Sequence, residues 1–385
     1  MKIERIETAL VHEWLIVTVT TDTGLTGIGQ SSYWGFPDAC ERVVDSYRDL
    51  LIGEDPLRTN HLWLKMYRSA PFRGGVITAA IAAIDIALWD LRGKHFEAPA
   101  HVLLGGPVRD RVRLHAVLAT GWLEERSTVD EVVREASEAV AEGFTAIKFD
   151  PFPDGAKGFQ TDSYARMMKG AVECVAAVRE AVGWDVDIAI EGHRKLGPGE
   201  AVDFGRELEP FRIFMYEDAL PPDSLASWRE FTDKVTIPVG TGERNDTIWE
   251  FRELLEDGTA QFVRPDVGMA GGLTACMKIA AMAEAYHAQL ICHNYVSPLV
   301  TAATVQLYAA VTNVGTFEYT LLDEREPRTR LLRRGLVREG GFLLVPDGPG
   351  LGVELADGWR EQLGEFSRWR PHPLARRTDG SIYSR

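Results

Sequence analysis

Apolar positions along this chain follow two successive patterns. From Ile3 to Val11 and from Leu15 to Thr21 they fit half-buried strands, and the Thr23-Gly24 turn leads into a third strand at Thr26 to Gln30. Helical spacing then takes over at Pro37–Leu51, Asn60–Tyr67 and Val76–Arg92, where Ala80, Ile81, Ile84, Ala87 and Leu88 share one stripe. Strands followed by helices predict an α+β unit.

From about Val112 the pattern becomes regular alternation. Strands are expected at Leu114–Ala119, Ala146–Phe149, Val186–Ile190, Ile213–Tyr216, Val239–Gly242, Gln261–Val263, Gln289–Cys292 and Gly315–Phe317. Helical segments separate them, among them Thr128–Glu142, stopped by Gly143, then Tyr164–Val182, Ile248–Asp257 and Thr274–Tyr286. Eight strands with intervening helices predict an α/β fold of the (β/α)8-barrel type, in which chemistry sits at the C-terminal strand ends. The expected division is an N-terminal α+β domain over residues 1–111, a barrel over 112–325, and a C-terminal segment, 326–385, that packs back on the first domain.

Bulk properties narrow the function. A chain of 385 residues exceeds the usual size of a single core, which agrees with two domains. A net charge of -15 argues against nucleic-acid or anionic-membrane partners, since neutralising phosphates needs a cationic surplus. The four cysteines lack CxxC spacing, which fits a reducing cytoplasm. Acidic residues interrupt the first segment where a signal peptide would be apolar, and Ile77–Leu91 is broken by Asp85 and Asp90 and too short to span a bilayer. No GxGxxG, Walker, HExxH or GxSxG arrangement occurs, so nucleotide, zinc-protease and serine-hydrolase chemistry lack support. His12, His61, His95, His101, His115, His287 and His372 lie off the strand ends and read as structural or surface residues.

What remains is a polar series in phase with the strands. Glu191, Glu217 and Glu243 stand 26 residues apart, each closing a short apolar run, and Asp266, His293 and Glu318 continue at steps of 23, 27 and 25. Any one glutamate alone would read as a surface residue or a helix cap. Three carboxylates converging on a barrel mouth would repel one another unless a divalent cation neutralised them, and an all-oxygen set suits Mg2+, with Mn2+ as the alternative. His193, two residues beyond Glu191, shares its face in an extended strand, or is a loop histidine fixed by backbone bonds. Asp266 and His293 on consecutive strands form a catalytic dyad in which the carboxylate orients the ring as a general base. Lys148 and Asp150 also share a face; the lysine either pairs with Asp150 or faces a carboxylate substrate and the metal ligands. Glu318 is an acceptor or, if protonated, a donor to a developing oxyanion.

These residues, with Ala83–Lys94, Ile147–Asp150, Glu191-Gly192-His193, Tyr216-Glu217-Asp218, Gly242-Glu243-Arg244, Pro265–Thr274 and His293-Asn294, resemble the enolase superfamily in its mandelate racemase branch over nearly the whole chain. The resemblance implies an N-terminal capping domain over a barrel that binds Mg2+ through Glu191, Glu217 and Glu243. Its shared step is abstraction of a proton α to a carboxylate. Racemases of this branch carry Lys-x-Lys on the second barrel strand, whereas here the last position is Asp150. A histidine after the third-strand ligand is similar instead to acid-sugar dehydratases, especially those acting on galactonate-like aldonates. By that likeness His293, oriented by Asp266, takes the C2 proton of an aldonate or aldarate, and His193 protonates the departing 3-hydroxyl. A 2-keto-3-deoxy acid results. Lys148 and Glu318 would face the substrate carboxylate or enediolate, and Asp150 would bond a substrate hydroxyl or neutralise Lys148. Capping loops Ser31–Trp34 and Pro71–Gly74 would supply substrate contacts through Tyr33, Trp34, Phe72 and Arg73, or simply pack on the barrel rim. The likeness also implies a cytoplasmic homo-oligomer with a small acid-sugar substrate. Its rivals are a racemase, epimerase or cycloisomerase, and a non-catalytic metal-binding homologue.

Overall fold

The computed structural model describes residues 1–118, 128–152, 163–368 and 379–381. His372 and Ala119 therefore lie outside the described residues. The N-terminal unit is an antiparallel meander of β1 (Ile3–Val11), β2 (Trp14–Thr21) and β3 (Thr26–Ser31), followed by α1 (Pro37–Leu51), α2 (Thr59–Ser69) and α3 (Gly75–His95). Helix α3 is apolar nearly all round, and its residues Thr78 to Leu91 are buried, as expected of a helix enclosed on all sides. It packs against the sheet, α1, α2 and the barrel helix Gly272–Ala285.

Eight parallel strands form the barrel: β4 (Arg111–Val117), β5 (Ala146–Phe149), β6 (Asp187–Glu191), β7 (Met215–Glu217), β8 (Val239–Thr241), β9 (Phe262–Val263), β10 (Gln289–Leu290) and β11 (Phe317–Tyr319). Sequential neighbours pair from β4 to β10, β11 returns to pair with β4, and a Leu290–Val314 bridge closes the remaining gap. Both faces of these strands are covered, so they read as apolar runs rather than alternating ones. In the lumen, Ala189, Met215 and Ile291 form an apolar layer. Side chains two residues further along the same strands, Glu191, Glu217 and His293, emerge above it, as strand alternation requires.

The two units are fastened around the loop after β9. Asp85 of α3 accepts hydrogen bonds from Thr274 N at 2.9 Å and Thr274 Oγ1 at 2.6 Å, so a capping-domain carboxylate caps a barrel helix. Trp89 Nε1 donates to Thr274 Oγ1 at 2.8 Å, and Trp63 Nε1 to the Gly271 carbonyl at 2.7 Å. Asp90 binds the C-terminal segment through Leu351 N at 2.9 Å while pairing with Lys94 at 2.6 Å. From that segment β12 (Phe342–Leu344) also adds antiparallel to β4. Among the described residues no helix is long and apolar enough to cross a membrane.

Candidate active site

Strands around the ring deliver ionisable side chains to the same mouth. Oxygens of Glu191, Glu217 and Glu243 lie within 4.8 Å of one another. On β5, Lys148 Nζ donates to Glu217 Oε1 and Glu318 Oε2, both at 2.6 Å, and to Glu191 Oε2 at 3.2 Å. An ammonium has three donors, and all are engaged by these carboxylates. Burial disfavours the Lys148 charge, but Glu217 and Glu318 outweigh it and hold the group protonated. Pairing of Lys148 with Asp150 does not occur.

Asp150 is engaged elsewhere. Its Oδ2 lies 2.9 Å from His193 Nδ1 and also accepts from Lys195 Nζ, while Oδ1 accepts from Phe152 N at 3.0 Å. Both oxygens have partners in the protein, the residue is 2 % exposed, and one of these partners is the His193 ring. Burial raises the Asp150 carboxyl, and Lys195 and His193 more than reverse this and keep it ionised. His193 itself sits at φ 45°, just past β6, with its N–H on Glu191 Oε1 at 2.8 Å.

Across the mouth, His293 Nδ1 lies 2.7 Å from Asp266 Oδ2, and its Nε2 stands 3.9 Å from Glu243 and 4.0 Å from Glu318. Burial lowers the His293 ring, but the Asp266 hydrogen bond with the Glu243 and Glu318 charges raises it to about 9. Strands β6 and β10 are the third and seventh of eight, so the two histidines enter from opposite sides of the ring. Each ring has its own aspartate on Nδ1, leaving Nε2 directed elsewhere.

Of the two roles left open for Glu318, acceptor or protonated donor, its surroundings favour the first. Burial opposes its charge, yet Lys148 and Arg264 hold it well below the usual carboxylate range, so it is an acceptor. His115 lies beneath it, with Nδ1 2.9 Å from Thr316 Oγ1 and Nε2 3.8 Å from Glu318; burial lowers this ring to about 4, which keeps it neutral and structural.

The capping loops meet the barrel rim. Ser32 N donates to the Gly268 carbonyl at 3.0 Å, two residues beyond Asp266, and Tyr33 packs near Phe36, with ring centroids 6.4 Å apart. Arg73 stacks over Trp249 at 5.3 Å and Tyr67 at 5.8 Å. Trp34 is partly exposed and Phe72 is 81 % exposed, so Phe72 encloses nothing in this state. Among the described residues, Tyr33, Phe72 and Arg73 make no hydrogen bond or ion pair with the carboxylate cluster.

Three further charged residues were not anticipated. Arg194 donates to Asp218 Oδ2 at 2.8 Å and to Glu243, Lys195 pairs with Asp150, and Arg264 bridges Glu217 and Glu318. Arg264, two residues before Asp266, shared its strand face, a signal present in the spacing. Arg194 and Lys195 follow β6 in a loop, where a basic pair reads as solvated surface.

A divalent cation fits this donor set. Glu217 Oε2 is buried without a partner. Burial and the Glu191 charge push the Glu217 carboxyl well up, and Arg264 and Lys148 do not cancel them. With the histidines counted neutral, seven carboxylates (Glu191, Glu217, Asp218, Glu243, Asp150, Asp266, Glu318) face four buried cations (Lys148, Arg194, Lys195, Arg264), a formal excess of three negative charges. A cavity of about 500 Å3 opens at the other end of the barrel, lined by Arg111, Arg113, Asp187, Phe214 and Phe262. The apolar Ala189, Met215 and Ile291 layer separates it from the carboxylates, so the chemistry lies above that layer.

A capped parallel barrel with a carboxylate triad on its third to fifth strands and an aspartate-histidine pair on its sixth and seventh defines an enolase-type enzyme. The chain belongs to the mandelate racemase / muconate lactonizing enzyme family: residues 5–105 match its N-terminal domain and residues 131–359 the enolase C-terminal domain-like family. A D-galactonate dehydratase from Ralstonia pickettii is 33 % identical over 390 residues, 99 % of either chain, and one from Xanthomonas euvesicatoria is 33 % identical over 391 residues. An Agrobacterium radiobacter structure with sodium and L-malate bound, provisionally described as a galactarate dehydratase, superimposes with a TM-score of 0.92 at 29 % identity over all of both chains.

Proposed function

We propose that this protein is a Mg2+-dependent sugar-acid dehydratase that removes the C2 proton of an aldonate or aldarate and expels the 3-hydroxyl, giving a 2-keto-3-deoxy acid. The observation that carries the reading is the pair of aspartate-backed histidines, Asp150–His193 and Asp266–His293, entering the mouth from opposite sides. Dehydration needs a base at C2 and an acid at the C3 oxygen, and two independently oriented imidazoles meet that need. The activity for which the relatives are named, D-galactonate dehydratase, supports the same class.

His293 acts as base in its neutral form: Asp266 accepts from Nδ1 so that Nε2 takes the proton, and then stabilises the imidazolium. His193 acts as acid, with Asp150 and Lys195 fixing its ring. Glu191, Glu217 and Glu243 hold the metal, which when bound supplies the Lewis-acid charge that acidifies a proton beside a carboxylate. Lys148 and Arg264 balance the carboxylates around it, and Glu318 accepts hydrogen bonds beside His293. Tyr33, Trp34, Phe72 and Arg73 belong to the loops that contact substrate, and the division at residues 1–111, 112–325 and 326–385 separates cap, barrel and tail. A cytoplasmic homo-oligomer completes the reading.

Incubation with a library of aldonates and aldarates in the presence of Mg2+, read with semicarbazide for 2-keto acids, tests the proposal. Keto-acid formation from at least one hydroxy acid is expected, and absence of turnover across the library by a protein that binds Mg2+ would favour a non-catalytic homologue.

A further inference from the structure

Directly below the carboxylate triad lies a guanidinium whose geometry exceeds what charge balance requires. Arg264 is 0 % exposed. Its Nη2 lies 2.8 Å from Glu217 Oε1 and also donates to Glu318 Oε2, while Nη1 donates to the Ile291 carbonyl at 3.0 Å. Lys148 Nζ donates to the same two carboxylate oxygens, each at 2.6 Å. Two cations and two anions therefore close a square in which each cation touches both anions and each anion uses one oxygen. The other oxygens are left to the site. Glu217 Oε2 is buried without a partner, and Glu318 Oε1 accepts from Asn294 N at 3.2 Å and stands 4.0 Å from His293 Nε2.

We infer that Arg264 is a positioning residue that locks Glu217 so that Oε2 alone is offered to the metal, and locks Glu318 so that Oε1 faces His293. The inference rests on the proposed metal triad. A lysine is a point donor that attracts both carboxylates without fixing their planes, whereas a guanidinium is a rigid fork, and here the fork is itself anchored on a main-chain carbonyl. The barrel is shaped to admit it. A Cβ at Gly240 would come within 3.4 Å of Arg264 Cδ and 2.5 Å of Met215 Sδ.

Charge and geometry predict opposite signs, which makes the inference testable. If Arg264 served only as a counter-ion, its loss would strengthen binding of a divalent cation, because one positive charge fewer would stand beside the ligands. If it positions the ligand, its loss weakens binding, by about tenfold or more, as for other residues that orient metal ligands. The experiment is calorimetric titration of the substrate-free protein with MgCl2, for wild type, Arg264→Lys and Arg264→Met, with far-ultraviolet circular dichroism as the check on folding. Both variants are expected to bind Mg2+ at least about tenfold more weakly than wild type. Wild-type affinity in Arg264→Lys, or tighter binding in Arg264→Met, would overturn the inference. Should Arg264→Met fail to fold, Arg264→Lys, which keeps the charge and loses the fork, decides alone. Absence of Mg2+ binding by the wild type would remove the metal reading and this inference with it, an outcome distinct from wild-type binding that Arg264→Lys leaves unchanged.

Discussion

Asp150 shows how one side chain redirects a mechanism. At the position where a racemase of this type carries a second lysine, this chain places an aspartate whose oxygens are engaged by His193, Lys195 and the Phe152 amide. On the proposed mechanism it makes the histidine beside Glu191 an oriented acid. His193→Asn is therefore expected to lower water loss by about 10²–10⁴-fold, the usual contribution of a general acid, while C2 proton exchange with solvent continues. Asp150→Asn is expected to lower water loss in the same direction with little effect on Mg2+ binding. Nuclear magnetic resonance of exchange and elimination in parallel checks both, and equal loss of both processes in His193→Asn would place His193 in the first step instead. Single positions with a strand-end rhythm were legible from sequence, because parallel barrel strands are buried on both faces and only their ends can tolerate charge. Arg264 was missed although it stands at i−2 from Asp266. A buried guanidinium is so costly unpaired that arginine reads by default as surface, and only its carboxylate partners, 47 and 54 residues away, reveal otherwise.

At the scale of elements, the helix Gly272–Ala285 begins with a Gly-Gly pair and is capped from another domain. Gly272 has φ +78°, and a Cβ there would lie 2.4 Å from Asp85 Oδ2. Gly272→Ala should therefore loosen the cap-to-barrel contact and lower the thermal midpoint, by a cost of about 2 kcal/mol or more, a magnitude tied to strain at a special backbone conformation. Asp85 also carries a pH signature. Burial raises its carboxyl to about 7, against hydrogen bonds from Thr274 that lower it, from an ordinary value of 3.8. A carboxyl raised on folding binds its proton more tightly in the native state, so stability falls as pH rises from about 4 to about 7 and is level above. The loss approaches about 4 kcal/mol. Denaturant unfolding of wild type and Asp85→Asn across that window checks it: the wild-type curve should fall relative to the variant, and parallel curves would show that Asp85 titrates normally. Elements with amphipathic periods were visible in sequence, with Pro37–Leu51 and Tyr164–Val182 observed at the predicted limits. The helix Pro298–Ala310 was not, because every residue from Pro298 to Ala309 is buried and an all-apolar helix has no stripe to detect. Strand β11 was expected at Gly315–Phe317 and occurs at Phe317–Tyr319, which moves Glu318 from beyond the strand into it.

For the whole molecule, the arrangement is a lid clamped to one rim of a barrel whose mouth concentrates negative charge. The clamp runs through Asp85, Trp89 and Trp63 onto residues 271–274, close in sequence to Asp266, so the cap is fastened beside the aspartate that bonds His293. A local excess of anions predicts that a divalent cation stabilises the folded protein. Mg2+ at a hundredfold excess over its dissociation constant should add about 2.7 kcal/mol, and chelation should lower the thermal midpoint accordingly. Scanning calorimetry with and without chelator checks this. An unchanged midpoint would contradict a metal site in the triad. The central claim is that this site removes the proton beside a carboxylate with His293 and then expels the neighbouring hydroxyl. The most direct measurement follows one converted sugar acid by proton magnetic resonance in heavy water, with wild type and His293→Asn. Wild type should give a 2-keto-3-deoxy acid carrying solvent deuterium at C3, and His293→Asn should give neither product nor exchange at C2. Deuterium at C2 of the acid with no keto acid formed by the wild type, or full dehydration by His293→Asn, would contradict this mechanism.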